Sequence, residues 1–440
     1  MSAGNGSADV VDKGWAWIVL FFSCVVIVIS DGIRMSSGIF YSQFIDNLSL
    51  SRPQAASIVA VLNSMFFLAG PIAGLLAVKI GTRAAICIGA LILFAGLFSS
   101  AFVKSYWALL VTFGFVHGLG YCIVFIPTIG ALPLWFSKYR QLAPAVFMAS
   151  GGLGIFVLAP LVQFLVSSYG WRGGAIVLSG VVLHCLATGA TFSARSHSTH
   201  HAASGQSPLR SILTNPRSVL NLVISFFSFG IPLFLIFIVR HVTEYRGFTA
   251  GEAATLVSIC GLTSFGGRVL FVVLNLNKRT ATKNVRFCVF NLSAFFAAIG
   301  AAVIPSVWSY PAVGVTCGIM GLMTGLRIAT ITAVTLDIIP PPRFQTAMGL
   351  VQFANGVSVL SVPPIGGYLA AKYKSYDPVF YMSCAGFTTM TFLGLLLHYL
   401  EYRHDSQRAT GEPTMLPKET AAGFRQQYQP HSTTGHHEKP

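Results

Sequence analysis

The chain has 440 residues; 54% belong to the set Ala, Val, Ile, Leu, Met, Phe, Trp, Tyr and Cys, and only 9% are Asp, Glu, Lys or Arg. A soluble domain carries about 25% charged residues, so most of this surface faces lipid. Soluble enzymes, disordered tail proteins and nucleic-acid-binding domains are excluded, although Lys plus Arg (28) exceed Asp plus Glu (13); in a membrane protein such an excess reports topology.

A bilayer core about 30 Å thick needs a helix of about 20 apolar residues. The polar residues 1–14 are followed by a long apolar run at 15–40, read as a retained first helix with no cleaved signal peptide. Further runs follow at 55–78, 84–103, 106–134, 141–166 and 172–192. A polar stretch rich in Ser, His, Pro and Arg, 193–216, then separates them from runs at 217–240, 252–275, 285–304, 311–336, 344–370 and 377–400. The polar tail 401–440 is poor in aliphatic residues and is expected to be disordered. An outer-membrane barrel would show alternating segments of about ten residues instead. The expectation is an all-α membrane protein of twelve transmembrane helices, with six-helix halves at 15–192 and 217–400 joined by a linker at 193–216. Such a division suits a carrier that rocks one half against the other around a midplane site.

Basic residues set the orientation. Of the 28 lysines and arginines, Arg52, Lys104, Arg172, Arg240, Arg246, Lys372 and Lys374 fall on the side opposite the N-terminus, and Arg34, Arg268 and Arg327 fall inside predicted spans. The rest lie on the side of the N-terminus, which places both termini in the cytosol, with the plasma membrane as the expected location. All eight cysteines fall in predicted spans, where they act as small apolar residues. No disulfide framework, metal site or cofactor is implied.

A charge near the bilayer centre costs about 2.5–3.5 kcal/mol on insertion scales, so each should face a watery cavity or a partner. Arg268 has Ser264 one turn before it on the same helical face. A guanidinium stays protonated and presents a planar fork that matches a carboxylate in two hydrogen bonds. Arg268 therefore reads as a grip for an anionic substrate group, or else as a salt bridge or carbonyl clamp between the halves. Asp31 and Arg34 lie three residues apart and are neighbours on one face; they form either a structural pair or a pair that parts during transport and lets Asp31 take a proton. Arg327 adds a second buried positive charge to the C-terminal half, where no carboxylate lies deep within a span; the surplus favours an anionic substrate. His117, midway along the fourth span, is either a packing residue or a proton carrier. No His-Glu-x-x-His pattern, clustered Cys/His spacing or paired intramembrane carboxylate supports an enzyme.

Asp12-Lys13-Gly14-Trp15-Ala16-Trp17 at the mouth of the first span resembles the entry signature of the monocarboxylate transporter family, within the major facilitator superfamily. The stretch from Trp135 to Ala143, continuing to Ser150-Gly151-Gly152-Leu153-Gly154, is similar to that family's loop and glycine-rich fifth helix. Leu158-Ala159-Pro160, Gly170-Trp171-Arg172-Gly173, Arg343-Phe344, Ala347-Met348-Gly349-Leu350 and Pro363-Pro364 follow in the family's order. The resemblance implies a carrier for a small organic anion, with Asp12, Gly14, Trp15 and Trp17 as motif residues. It also implies Arg268 as a substrate residue, a proton as co-substrate in some members, and a single-span glycoprotein chaperone as partner of some. Three departures count against proton-coupled lactate transport: Ser264 stands where members commonly have Asp, Met35 beside Arg34 where the lactate carriers have Lys, and Val78 where the superfamily loop usually carries Asp. They leave open an uncoupled facilitator of amino-acid-like or other organic solutes, or a sensor that keeps the carrier fold.

Overall fold

A computed structural model describes residues 12–192 and 208–410, and every regular element among them is helical. The expectations for 1–11, 193–207 and 411–440 lie outside the described residues. Helix α1 runs Gly14–Leu48 and α2 comprises Pro53–Leu68 and Gly70–Ile80, bent by 46° where Pro71 removes a backbone donor. Helices α3 (Thr82–Ser100) and α4 (Tyr106–Trp135) follow, α4 with a π-helical stretch at Leu110–Val116. The helix Leu142–Thr191 is 50 residues long, too long for one crossing. It reverses at Gly170, whose φ of 69° and ψ of 168° suit only glycine. Gly174 thereby packs back against Leu165 and Val166, which separates α5 (142–169) from α6 (171–191).

In the second half, α7 is made of Pro216–Phe226 and Gly230–Arg240, joined by a 3-10 turn at Phe227–Phe229. It is followed by α8 (Ala250–Leu276), α9 (Lys283–Val303), α10 (Tyr310–Ile338), α11 (Pro341–Tyr373) and α12 (Asp377–Thr410). Among the described residues, nine helices are long and apolar enough to cross a membrane unaided, and the bent α2 makes a tenth. The reversal at Gly170 and the broken α7 account for the remaining two of the twelve expected crossings. One boundary differs from expectation: α12 continues to Thr410, ten residues beyond 400. Ion pairs hold this extension. Glu401 accepts from Arg217 of α7 at 2.9 Å and from Lys283 of α9 at 2.6 Å, and Lys283 also reaches Asp405 at 2.8 Å. A short helix, Pro208–Leu213, likewise occupies part of the segment expected to be linker.

Each half packs around its own apolar core. The first centres on Phe40, Phe44, Phe113 and Trp171, with Phe44 edge-on to both Phe113 and Trp171 at 5.4 and 5.3 Å. The second contains Phe234, Met320, Phe380 and Phe387. In lipid there is little hydrophobic drive between helices, so small residues that permit close approach decide which ones meet. Gly32 of α1 lies against Gly154 and Leu158 of α5, and Gly325 of α10 against the backbone of Ser264 on α8. Similar approaches join the halves: Gly70 of α2 meets Gly349 of α11, Gly130 of α4 meets Gln345, and Gly152 of α5 meets Phe265 of α8. These junctions lie between mid-depth and the side where α1 begins and α12 ends, here called the terminal side. Leu336, Phe344 and Met348 of the second half are part of the first half's core there.

Gly325→Val puts a branched side chain into the α8–α10 crossing; overpacking of this kind costs about 1–3 kcal/mol and should lower the Tm of the purified protein. At the end of α12, Glu401→Gln should lower Tm more than Asp405→Asn, because the Glu401 side chain is 2% exposed and that of Asp405 is 52% exposed. Thermal unfolding followed by intrinsic fluorescence checks both.

Candidate functional site

The i, i+3 spacing on α1 brings Asp31 and Arg34 together as an ion pair at 2.6 Å, and both residues are buried. The rest of the cluster comes from neighbouring helices. Arg34 Nε and Nη2 both donate to Asp31 Oδ1, at 3.1 and 2.6 Å, and Nη1 donates to Asn63 Oδ1 of α2 at 2.5 Å. The Tyr121 hydroxyl of α4 donates to the same Asp31 oxygen at 3.0 Å. The Arg34 guanidinium also lies 4.9 Å from the ring of Phe66 and 5.5 Å from that of Tyr121, and these two rings stack on each other at 4.4 Å. A cation over aromatic faces is stabilised by their quadrupoles. All three nitrogens of Arg34 are engaged, so this cluster is a neutralised pair with no unused guanidinium nitrogen.

Arg268 approaches this cluster from the other half. Gly267 lets α8 lie against the Leu322–Leu326 backbone of α10, and Arg268 turns toward α5, where Nη1 donates to the Met148 carbonyl at 3.2 Å. A guanidinium has five N–H donors, and this bond uses one. Nε of Arg268 is buried with no hydrogen-bond partner. The hydrogen bond to the Met148 carbonyl crosses between the halves, and it leaves most of the fork unoccupied. Ser264 serves the helix crossing through its backbone, which faces Gly325; it adds no charge beside Arg268.

Arg327 is buried on α10, and its Nε also has no partner. No ion pair to it occurs among the described residues. Asp337, ten residues and so about 15 Å further along the same helix, is taken by Arg286 of α9, which donates from Nε and Nη2 at 2.7 Å each. Gln141, at the start of α5 in the first half, adds a third bond to Asp337 at 2.8 Å. His117 lies away from the arginines, packed between α3 and α4: its ring is parallel to Phe113 at 5.7 Å, and its backbone faces Gly96. Its Nδ1 is buried and unpartnered.

The motif at the mouth of α1 does mechanical work. Asp12, with a φ of 61°, accepts from the backbone N–H groups of Ser137 and Lys138 at 3.0–3.2 Å, and its own N–H donates to the Trp135 carbonyl. Trp17 packs on Phe136 and Tyr139 at 5.2 and 5.4 Å, while Trp15 Nε1 donates to the Thr191 carbonyl at the end of α6. No atom outside its own helix comes near Gly14 where a side chain would be. Asp12, Trp15 and Trp17 thus fasten α1 to the α4–α5 loop and to α6. They take no part in the arginine cluster.

Sequence reasoning missed Asn63, Tyr121, Gln141 and the Met148 carbonyl. Asn63 carried a signal, as a lone amide within an apolar span; Tyr121 is one of many aromatics, and a backbone acceptor has no sequence signature. Elsewhere, Glu401, His404 and Asp405 come close enough to share an ion, but the Lys283 ammonium already bonds both carboxylates.

A family model described as Major Facilitator Superfamily matches residues 20–322 and 282–429. Among curated proteins, monocarboxylate transporter 12 of Rattus norvegicus is 26% identical over 428 residues, covering 90% of this chain and 87% of that one. Monocarboxylate transporter 3 of the same species is 27% identical over 382 residues, covering 84% and 77%. The resemblance read from the motifs therefore extends along most of the chain. Among solved structures, the fucose:proton symporter FucP of E. coli superposes with a TM-score of 0.69 at 13% identity, covering 87% of this chain and 99% of that one. The proton:xylose symporter XylE gives 0.68 at 14%, covering 88% and 95%. These proteins are membrane carriers and not enzymes, and their fold is the one described above. With the family model matched along both six-helix halves, the chain is an integral membrane protein that belongs to the Major Facilitator Superfamily.

Proposed function

We propose that the protein is a secondary transporter of a small, carboxylate-bearing organic solute, working by alternating access in the plasma membrane with both termini in the cytosol. The observation that carries the reading is Arg268: a buried guanidinium at the junction of the halves, with one hydrogen bond to the Met148 carbonyl and an unpartnered Nε. A substrate carboxylate supplies the anion that this fork lacks, in bidentate form. Arg327 raises the positive potential of the same half, and Arg34 acts on the substrate through the Asp31 pair rather than by direct contact. The monocarboxylate transporters to which the chain is similar support this class of cargo.

Alternating access requires the terminal-side junctions to part. The Asp337–Arg286 pair lies within one half and survives such a movement, so separation there costs hydrogen bonds, from Gln141 to Asp337 and from Gln345 of α11 to Thr82 of α3, but among the described residues no ion pair. Loss of one such bond costs about 1.5–3 kcal/mol, within reach of substrate binding energy.

In proteoliposomes offered a panel of organic acids and aromatic amino acids, Arg268→Ala should reduce carboxylate uptake about a hundredfold or more, with surface expression in cells unchanged. Arg268→Lys keeps the charge and loses the planar fork, and should retain uptake reduced by about tenfold. Undiminished uptake by Arg268→Ala sinks the reading. Proton symport would work through Asp31, the buried carboxylate of the first half. Asp31→Asn should then abolish the dependence of initial uptake rate on external pH, and a wild-type pH profile in that variant excludes coupling at this residue.

A further inference from the structure

The two oxygens of Asp31 are used unequally. Oδ1 accepts three hydrogen bonds, from Arg34 Nε, Arg34 Nη2 and the Tyr121 hydroxyl. Oδ2 accepts none among the described residues and faces α5 at Gly151, where an added methyl group would stand 3.2 Å from it and 3.0 Å from Ile27 of α1. One turn earlier on α5 is Met148, whose carbonyl holds Arg268. The first half therefore offers Arg268 two acceptors beside the same stretch of α5: the Met148 carbonyl of α5 that it now holds and a carboxylate oxygen of α1 with free lone pairs. A carboxylate adds ion–ion attraction to its hydrogen bond with a guanidinium, which a carbonyl does not. Arg34 and Tyr121 fix the carboxylate through Oδ1, so Oδ2 is already oriented, and the side chain does not have to reorder to meet Arg268.

We infer that Asp31 Oδ2 is a built-in stand-in for the substrate carboxylate: in the empty carrier it takes Arg268, and the incoming substrate displaces it. This rests on the reading of Arg268 as the substrate grip. It assigns to Asp31 a positioning role in the return of the unloaded carrier. Without an anion, bringing the halves together around Arg268 would seal a bare guanidinium in a low-dielectric contact, which is strongly unfavourable. With Oδ2 as partner the empty carrier can close and reorient, and net transport continues. Glycine at 151 leaves the approach to Oδ2 open. Competition between Asp31 and substrate for one fork also limits substrate affinity, since a loaded site must first break the internal pair.

The test compares net uptake with counterflow exchange in proteoliposomes, using radiolabelled propionate, benzoate and L-tryptophan as probes. Asp31→Asn removes the stand-in, and Gly151→Ala obstructs its approach while leaving the Arg34 and Tyr121 bonds to Oδ1 in place. In both, net uptake should fall about tenfold; in Gly151→Ala exchange, which never requires the empty carrier to return, should fall by less than about twofold. Spin labels at Asn47 and Lys372, on a Cys288→Ser background, report the separation of the halves on the far side from the termini. Substrate-free wild type in nanodiscs should show both near and far distances, and the two variants only the far one. Gly151→Ala answers the question even where Asp31→Asn fails to fold because Arg34 is left unpaired. Equal losses of exchange and net uptake in Gly151→Ala, or wild-type distance distributions in the variants, overturn the inference. Uptake that survives Arg268→Ala overturns instead the substrate reading beneath it, and the distance measurement, which needs no substrate, keeps the two failures apart.

Discussion

A guanidinium held away from water requires an anion, and the two halves of this protein meet that requirement differently. In the first half Asp31, Asn63, Phe66 and Tyr121 surround Arg34 so completely that each of its nitrogens has a partner. In the second half Arg268 has a single carbonyl, and Arg327 has no ion-pair partner among the described residues. The difference is one of placement: Asp337, a buried carboxylate of the second half, lies about 15 Å along α10 from Arg327 and pairs with Arg286 near the terminal side. The resulting asymmetry, a compensated half facing an undercompensated one, is what makes an anionic cargo physically sensible at their junction. A neutral solute would leave the desolvated charge as it found it.

The glycines determine where that junction can form. Gly32 and Gly154 bring α1 onto α5, which carries Asp31 to the α5 surface; Gly267 and Gly325 bring α8 onto α10, which sets Arg268 at the same depth from the opposite side. Helix-to-helix distance in a bilayer is governed by such small residues more than by apolar burial, because lipid tails compete equally for the large side chains. Both halves are therefore rigid where they present charge, and their mutual contacts, such as Gly70 with Gly349, are backbone-close yet lack ion pairs between halves among the described residues. A contact of that kind is well packed and electrostatically light, and it can separate without stranding a charge.

The legible part of the sequence was the part written in solvent preference and in spacing. Apolar length marked the spans, because a helix interrupted by a turn, as α7 is at Phe227–Phe229, still needs lipid-compatible side chains throughout. The three-residue interval marked the Asp31–Arg34 pair. The illegible part was tertiary: that Asn63 and Tyr121 converge on the pair, that Met148 offers its carbonyl, and that Gln141 reaches Asp337 across the halves. None of these follows from periodicity, because each depends on which faces of different helices meet. The motif residues Asp12, Trp15 and Trp17 were legible as a resemblance, but their task was not. A carboxylate accepting two backbone N–H groups of the α4–α5 loop is a fastening, and it explains why an acidic residue and two indoles stand together at that helix mouth.

That fastening ties the first half into one body from its terminal side inward. Asp12 and Trp17 fix the loop that leads to Gln141 and the start of α5, and α5 carries Met148 and Gly151 to the arginine cluster. Under the proposed cycle, a change of partner at Arg268, between the Met148 carbonyl, a substrate carboxylate or Asp31, would act on the same helix at whose start Gln141 bonds Asp337. Helix α5 is stiff over this stretch, since the thirteen backbone positions from 142 to 154 are continuously helical. In the proposed cycle, exchange of one hydrogen-bond acceptor at mid-depth and release of the Gln141–Asp337 bond at the terminal side would act on two points of this one helix, so that its rigid-body movement could link them without a chain of side-chain rearrangements.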